Sequence, residues 1–286
     1  MNHGEREGLC RLGVEDKAIA KRFLRQFGAH NAYLLGQIHR GALGSEAIAG
    51  PFWGFYRNEV LEGVACSGSN LVISYPATDE SIEAFAQAAR RGLYLIRVAI
   101  GEDRTIQKFM EHYGRNFRPV SLERGGQLLF KVTESTLQGP EPKATLRPGE
   151  VTELEPIMEM DCLMIEEELG FNPFRRDPRV YRDGWLRRIR ELRVWLVGAL
   201  QGPYLFKVEQ SAISEEVIQI SGVYTALAHR KKGIAKDAIA QICRIILSDT
   251  PIVSLYVHSG NIPAVNLYRS LGFEEAGVIR SVWFEV

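Results

Sequence analysis

The sequence predicts an α/β protein built as two halves of similar layout, each a mixed sheet flanked by helices. Three observations lead there. Segments with apolar residues at helical spacing alternate with short apolar runs of strand length. The same order recurs on both sides of "ESTLQGPEPKATLRPGE", Glu134 to Glu150, where three prolines and two glycines disfavour helix and ladder alike. Each half closes on a strand–helix–strand–helix–strand run, and crossovers of that length join parallel neighbours. The Pro/Gly stretch therefore reads as a linker between a domain at 1-138 and a domain at 139-286.

In the first half, "EDKAIAKRFLRQFGAHNAYLLGQIHR" carries a helical apolar stripe, and "FWGFYRNEVLEGVACSG" reads as two strands around an Asn-containing turn. "LVISY" is a short strand. "DESIEAFAQAARRG" opens on an acidic turn and stops at Gly92, as a capped helix does. "LYLIRVAIG" is strand-like, "EDRTIQKFMEHYG" is a helix ending at Gly114, and "GGQLLFKVTE" is a strand. In the second half, "VTELEPIMEMDCLMIEEELG" and "DPRVYRDGWLRRIRELR" read as helices, followed by the strands "VWLVGAL", "YLFKVEQSAI" and "VIQISGVYT". The helix "KKGIAKDAIAQICRIILSD", the strand "IVSLYVHS", the helix "NIPAVNLYRSLG" and the strand "SVWFEV" complete the chain. The matching order suggests duplication.

The totals bound the function. Of 286 residues, 45% are hydrophobic and 24% charged, the proportions of an ordinary globular protein. Lys plus Arg equals Asp plus Glu at 35 each, which argues against a chain that coats nucleic acid or an anionic membrane. The four cysteines, Cys10, Cys66, Cys162 and Cys243, form no C-x-x-C pair and have no His at metal-ligand spacing. No secretory signal and no bilayer-length apolar run is visible, so the expected location is the cytoplasm, with no metal.

The informative stretch is "SGVYTALAHRKKGIAKDAIAQI". A strand end is followed by Arg230, Lys231 and Lys232, then by Gly233 and an amphipathic helix. The first N–H groups of a helix lack internal partners and lie at the positive end of its dipole, so a phosphate fits there. Gly233 removes a side chain that would block close approach, Ala235 is nearly as small, and Ile234 can anchor the helix in the core. The turn has the chemistry of a pyrophosphate cradle, although neither a Walker loop nor a dinucleotide G-x-G-x-x-G is present.

Two motifs resemble those of the GNAT acetyltransferase superfamily. Arg230-x-x-Gly233-x-Ala235, after the strand end Val223-Tyr224-Thr225, resembles the acetyl-CoA signature R/Q-x-x-G-x-G/A. Further on, Asn261, Ala264, Leu267, Tyr268, Gly272 and Phe273 complete the second signature, N-x-x-A-x-x-L-Y-x-x-x-G-F. The resemblance covers about half of the chain and implies a tandem GNAT arrangement with a degenerate N-terminal half. It implies that backbone groups of Val223, Tyr224 and Thr225 bond the pantetheine arm between splayed parallel strands. Amides from Lys231 to Ala235 would take the pyrophosphate, Asn261 the cofactor arm, and Tyr268 would protonate the leaving thiolate, a role suited to a phenol.

Each residue also has a plainer reading. Tyr268 fits a core aromatic, Asn261 a helix cap, Lys231 and Lys232 solvated cations, and Arg230 a surface partner of Asp237. The signature departs from the commoner form in having Ala235 for a second glycine. No general base is assigned: Gln219 and Ser221 occupy the central strand, and Glu209, Glu215 and Glu216 lie upstream without a clear aim.

In the first half, Glu102 and Asp103 stand where a pyrophosphate would need amides and cations, so that half is expected not to bind CoA and to wall the acceptor site. The eight arginines between Arg175 and Arg193 read as a solvated helix face, paired with Glu166, Glu167 and Glu168. The resemblance implies an acetyl-CoA-dependent N-acetyltransferase acting by direct attack on a small-molecule or peptide amine. Homodimerisation is left open, and neither nucleic acid nor membrane is expected as a partner. A non-enzymatic acyl-CoA sensor and an enzyme for another acyl or aminoacyl donor are the rival readings.

Overall fold

A computed structural model of the chain describes residues 6–45, 50–68, 70–92, 96–114, 117–143, 145–175 and 177–285. The strands are β1 (Gly8–Arg11), β2 (Phe52–Arg57), β3 (Val60–Ser67), β4 (Asn70–Ile73), β5 (Val98–Glu102), β6 (Val120–Val132), β7 (Leu146–Pro148), β8 (Val194–Gly198), β9 (Tyr204–Ile213), β10 (Ile218–Thr225), β11 (Val253–His258) and β12 (Glu274–Phe284). The helices are α1 (Lys17–Leu24), α2 (Ala32–His39), α3 (Asp79–Arg91), α4 (Asp103–Tyr113), α5 (Leu154–Leu169), α6 (Pro178–Arg190), α7 (Ile234–Leu247) and α8 (Ile262–Ser270). The start of the strand expected in "LYLIRVAIG", residues 93–95, lies outside the described residues.

The two halves share one twelve-stranded sheet, in the order β1-β2-β3-β4-β5-β12-β6-β11-β10-β9-β8-β7. Among the described residues, β4–β5 and β10–β11 pair parallel and the other neighbours are antiparallel. The last strand of each half sits in the other half's sheet: β6 lies between β11 and β12, and β12 between β5 and β6. The order is symmetric about the β12–β6 boundary. Hydrogen bonding thus runs across the boundary between the two sequence halves.

The exchange is also one of core residues. Phe130 and Val132 of β6 pack with Leu255, Tyr268 and Phe273 in the C-terminal core. Val282 and Phe284 of β12 pack with Phe109 and Tyr113 in the N-terminal core. Alternation along β10 explains the layering: Ile218 and Ile220 face α7, whose Ala238, Ile239, Ile242, Cys243 and Ile246 are buried against them. Burying each such aliphatic side chain stabilises by about 1.5–3 kcal/mol.

Three local features depart from the sequence reading. The helix expected over residues 15–40 is broken into α1 and α2 by the turn at Arg25–Phe27. Asn31 holds that break: its Nδ2 donates to the Leu24 and Tyr75 carbonyls, and its Oδ1 accepts the Tyr75 N–H. The stretch read as a linker carries contacts and a strand that the sequence reading did not name. Lys143 N–H donates to Asp237, Gln138 N–H to the Leu271 carbonyl, and Leu146–Pro148 forms β7 against β8. β1, unread in the sequence, pairs with β2 at the far edge.

Candidate active site

The β10–β11 pair is short. Ile218 opposes Val253 and Gln219 opposes Ser254, and there the pairing stops. β10 continues to Thr225 bonded to β9, while β11 continues to His258 bonded to β6. The β9 register shifts between Ser221 and Tyr224, and Gly222 between them takes φ 58°. A bulge bends its strand, and here it swings β10 away from β11. The result is a wedge with backbone edges on both walls. In the N-terminal half, β4 is paired with β5 from Asn70 to Val72 and ends at Ile73, so no overhang opens there.

The turn "HRKKGIA" caps the wide end of this wedge. Lys231 and Gly233 both adopt left-handed backbone, φ 60° and 82°. Such a turn points successive N–H groups into one concavity. The amides of Lys231, Lys232, Gly233, Ile234 and Ala235 have no protein partner among the described residues, and α7 has no side-chain cap. Nothing lies within 4 Å of where a Gly233 side chain would project. What requires glycine here is the left-handed backbone angle.

The other half answers differently. By topology the counterpart of β10–α7–β11 is β4–α3–β5, so the position equivalent to this turn is Thr78–Glu80 and not the Glu102–Asp103 pair that the sequence suggested. There Thr78 Oγ1 accepts the Ser81 N–H, and Asp79 and Glu80 fill the first turn. Glu80's own backbone amide and Arg57 hold its carboxyl below the usual range. That helix start is already satisfied and acidic.

Each residue named from the sequence has a definite place. Val223, Tyr224 and Thr225 form the end of β10, Val223 turned to the α7 core and Tyr224 buried. Arg230 does not meet Asp237. Its Nη2 reaches both Glu167 carboxylate oxygens at 2.9 and 2.7 Å, its Nε donates to the Thr225 carbonyl at 3.0 Å, and it lies over the Tyr224 ring. Lys231 and Lys232 are exposed, with Lys232 Nζ on the Ala228 carbonyl; Ile234 and Ala235 pack on the core. Asn261 caps α8, its Oδ1 accepting the Ala264 N–H.

Tyr268 is 5% exposed, against Phe130 and Phe273. Its hydroxyl has no protein hydrogen-bond partner among the described residues, yet it is not among the sealed side-chain atoms. Burial, aided by nearby Glu168 and Cys243, pushes the phenol up, so it stays protonated at neutral pH.

The sheet face opposite α7 is polar, which the sequence reading missed. Buried Lys207 donates to Asp161 at 2.9 Å, and Tyr181 donates to the other Asp161 oxygen at 2.6 Å. Glu209 accepts from Ser221 at 3.0 Å and lies 3.4 Å from Arg188. The corresponding face of the other half, under α1 and α2, is Val64, Cys66 and Val72, with Ile100 packed against them. The fold therefore does not require polarity here. Alternation in "YLFKVEQ" and "IQIS" was the available signal. The arginine helix α6 buries Trp185 and Ile189 and turns most of its arginines outward, while Glu166 and Glu167 are held by Asn172 and Arg230. Among the described residues no group of His, Cys, Asp and Glu is placed to hold a metal, and no helix is long and apolar enough to cross a membrane.

Comparison with known proteins agrees with this geometry. Residues 165–273 match a family model described as Acetyltransferase (GNAT) family. The chain is similar in structure to a GNAT-family acetyltransferase from Colwellia psychrerythraea, at TM-score 0.56 and 14% identity over 97% of this chain and 99% of that one. A Drosophila protein gives TM-score 0.67 at 11% identity over 98% and 99%. A tandem GNAT protein from the clavulanic acid biosynthesis pathway gives 0.53 at 12% over 96% and 97%. At such identities the likeness is one of fold. No curated protein matches the chain. The matched segment runs from the end of α5 to Phe273 and includes the wedge, the amide turn and Tyr268, so residues 165–273 carry the match to the GNAT acetyltransferase family in a chain with the tandem GNAT fold.

Proposed function

We propose that the protein is a cytoplasmic acetyl-CoA-dependent N-acetyltransferase whose C-terminal half, 139-286, binds the coenzyme and whose acceptor is a small-molecule or peptide amine. The observation that carries this is the row of unengaged amides from Lys231 to Ala235 at the mouth of the β10–β11 wedge. Five free N–H groups at a helix N-terminus suit a diphosphate, and the adjacent strand edge at Val223–Thr225 suits the amides of a pantetheine arm. Asn261 stands at the opposite rim. With the thioester at the narrow end, the amine lone pair attacks its carbonyl carbon. The C–N bond forms, the C–S bond breaks, and the Tyr268 hydroxyl gives its proton to the sulfur. No metal enters, and no covalent intermediate with the protein is needed.

Titration calorimetry with CoA and acetyl-CoA, followed by mass spectrometry of products from a panel of primary amines, tests the reading. The expected result is binding that Gly233→Val abolishes, and a 42-Da gain on at least one amine, the mass of an added acetyl group less the displaced hydrogen. Absence of binding removes the proposal. Binding without release of free CoA, with any amine or with water, would make the chain an acyl-CoA sensor and remove the enzyme.

A further inference from the structure

The acyl-transfer reading leaves one proton unaccounted for, that of the attacking nucleophile. We propose that Glu168 receives it, an assignment that rests on the acyl-transfer reading. The C-terminal end of α5 is clamped across the wedge. On one side Glu167 is held by Arg230 and by the Tyr224 hydroxyl, both tied to the end of β10. On the other side Arg124 of β6, the strand beside β11, donates to the Glu168 carbonyl at 3.0 Å. Glu168 therefore spans the gap between the strands. Its two acidic neighbours are engaged, Glu166 with Asn172 and Glu167 with Arg230. The Glu168 carboxylate has no hydrogen bond or ion pair among the described residues. Of the two other carboxylates on the polar face, Asp161 is held by Lys207 and Tyr181, and Glu209 accepts from Ser221 through Oε1 while its buried Oε2, 3.4 Å from Arg188, has no hydrogen bond among the described residues.

A second observation points to a ligand between Glu168 and the floor of the wedge. Tyr268 is 5% exposed, and its hydroxyl lacks a hydrogen-bond partner among the described residues. Burial is what chiefly raises this phenol, and the Glu168 charge adds to it. The groups that act on Glu168 are Arg124 from β6, Asp161 and Glu167 from α5, and Lys207 from β9. Glu168 is exposed as a residue, yet the packed protein around its carboxyl strips enough water, with Asp161 and Glu167 nearby, to push its pKa up. A carboxylate so placed takes a proton nearer neutral pH than a free one does. The balance is complete: the nucleophile's N–H proton goes to Glu168, the sulfur takes the Tyr268 proton, and solvent returns both groups to their starting states.

The test uses water as the nucleophile, because an amine's own titration would hide that of Glu168. The full chain is incubated with acetyl-CoA alone, and free CoA is followed with a thiol reagent from pH 5 to 9. Wild type is expected to show slow hydrolysis that rises through one acidic limb to a plateau. Glu168→Gln is expected to lose the limb and about 100-fold in plateau rate, with the calorimetric Kd for CoA within about twofold of wild type. A Glu168→Gln protein that keeps wild-type rate and limb overturns the assignment. So does loss of the limb in Glu209→Gln with Glu168→Gln unaffected. No heat with acetyl-CoA, or binding with no free CoA released by water or by any amine of the panel, fails the acyl-transfer reading itself and takes the role of Glu168 with it.

Discussion

Replacing Tyr268 by Phe removes one oxygen that has no hydrogen-bond partner among the described residues. The ring stays between Phe130 and Phe273, so the variant is expected to melt within about 2 °C of wild type. Single-turnover acetyl transfer is expected to fall by roughly 10²-fold with CoA affinity unchanged. A Phe variant with full turnover removes Tyr268 from the chemistry. Gly233 is limited differently. A side chain at φ 82° costs about 1–2 kcal/mol, and the turn that gathers the amides depends on that angle, so Gly233→Ala should weaken CoA binding as well as lower the melting temperature. Equal small effects would mean the concavity is not used. The buried Lys207–Asp161 pair supports the polar face from below. Asp161→Asn strands a cation that is 0% exposed, and chemical denaturation should show a loss of about 3–5 kcal/mol. Loss below about 1 kcal/mol would mean that the Trp185 ring, 4.6 Å from the ammonium, supports the charge alone.

At the scale of elements, the break between α1 and α2 carries a pH dependence. His30 is stacked on Tyr75 at 4.5 Å between centroids, with Phe27 edge-on. Burial, and then the Lys131 charge, lower its pKa below the ordinary 6.5. A folded pKa below the unfolded one means that the unfolded chain binds the proton more readily, so this contribution is full above about 6.5 and is lost as pH falls below it. Urea midpoints at pH 7.5 and 5.5 should fall with acid in wild type and less in His30→Phe, which keeps the stack. Identical acid slopes would remove His30 as the source. The break itself escaped the sequence because the apolar stripe continues across it, and the Asn31 side chain that ends α1 is recruited by Tyr75, distant in sequence. β1 and β7 escaped because runs of four and three residues show no readable alternation. The amide turn, α7 and α8 were legible because their requirements are local: a positive φ at Gly233, a cap at Asn261, a stripe of period 3.6. The polar face was not, because it is shared among β9, β10, α5 and α6.

For the whole molecule, the exchange of β6 and β12 sets how the chain must fold. β6 is bonded on both sides by strands of the C-terminal half, and β12 on one side by β5 and on the other by β6. No local signal distinguishes this from two separate sheets, since either strand fits either partner by alternation alone. Energetically the two differ. Residues 139-286 by themselves would lack Phe130 and Val132 from their core and leave β11 with an open edge; residues 1-138 would lack Val282 and Phe284. The buried hydrogen bond from Gln127 to Ser281, where β6 crosses β12, joins the halves at the centre. Large-to-small losses of single core aromatics cost about 3–5 kcal/mol, and each half would lose an aromatic together with a whole paired strand, against a total stability of about 5–15 kcal/mol. The chain should therefore unfold in one calorimetric transition with equal calorimetric and van't Hoff enthalpies. Each half expressed alone should be unfolded or aggregated, and the two co-expressed should associate and recover CoA binding. Two resolved transitions, or a soluble 139-286 fragment that binds CoA unaided, would mean that the exchange decorates two finished domains. A single transition would mean that the half without the amide turn is retained because it supplies the strand on which β11, and with it one wall of the wedge, is built.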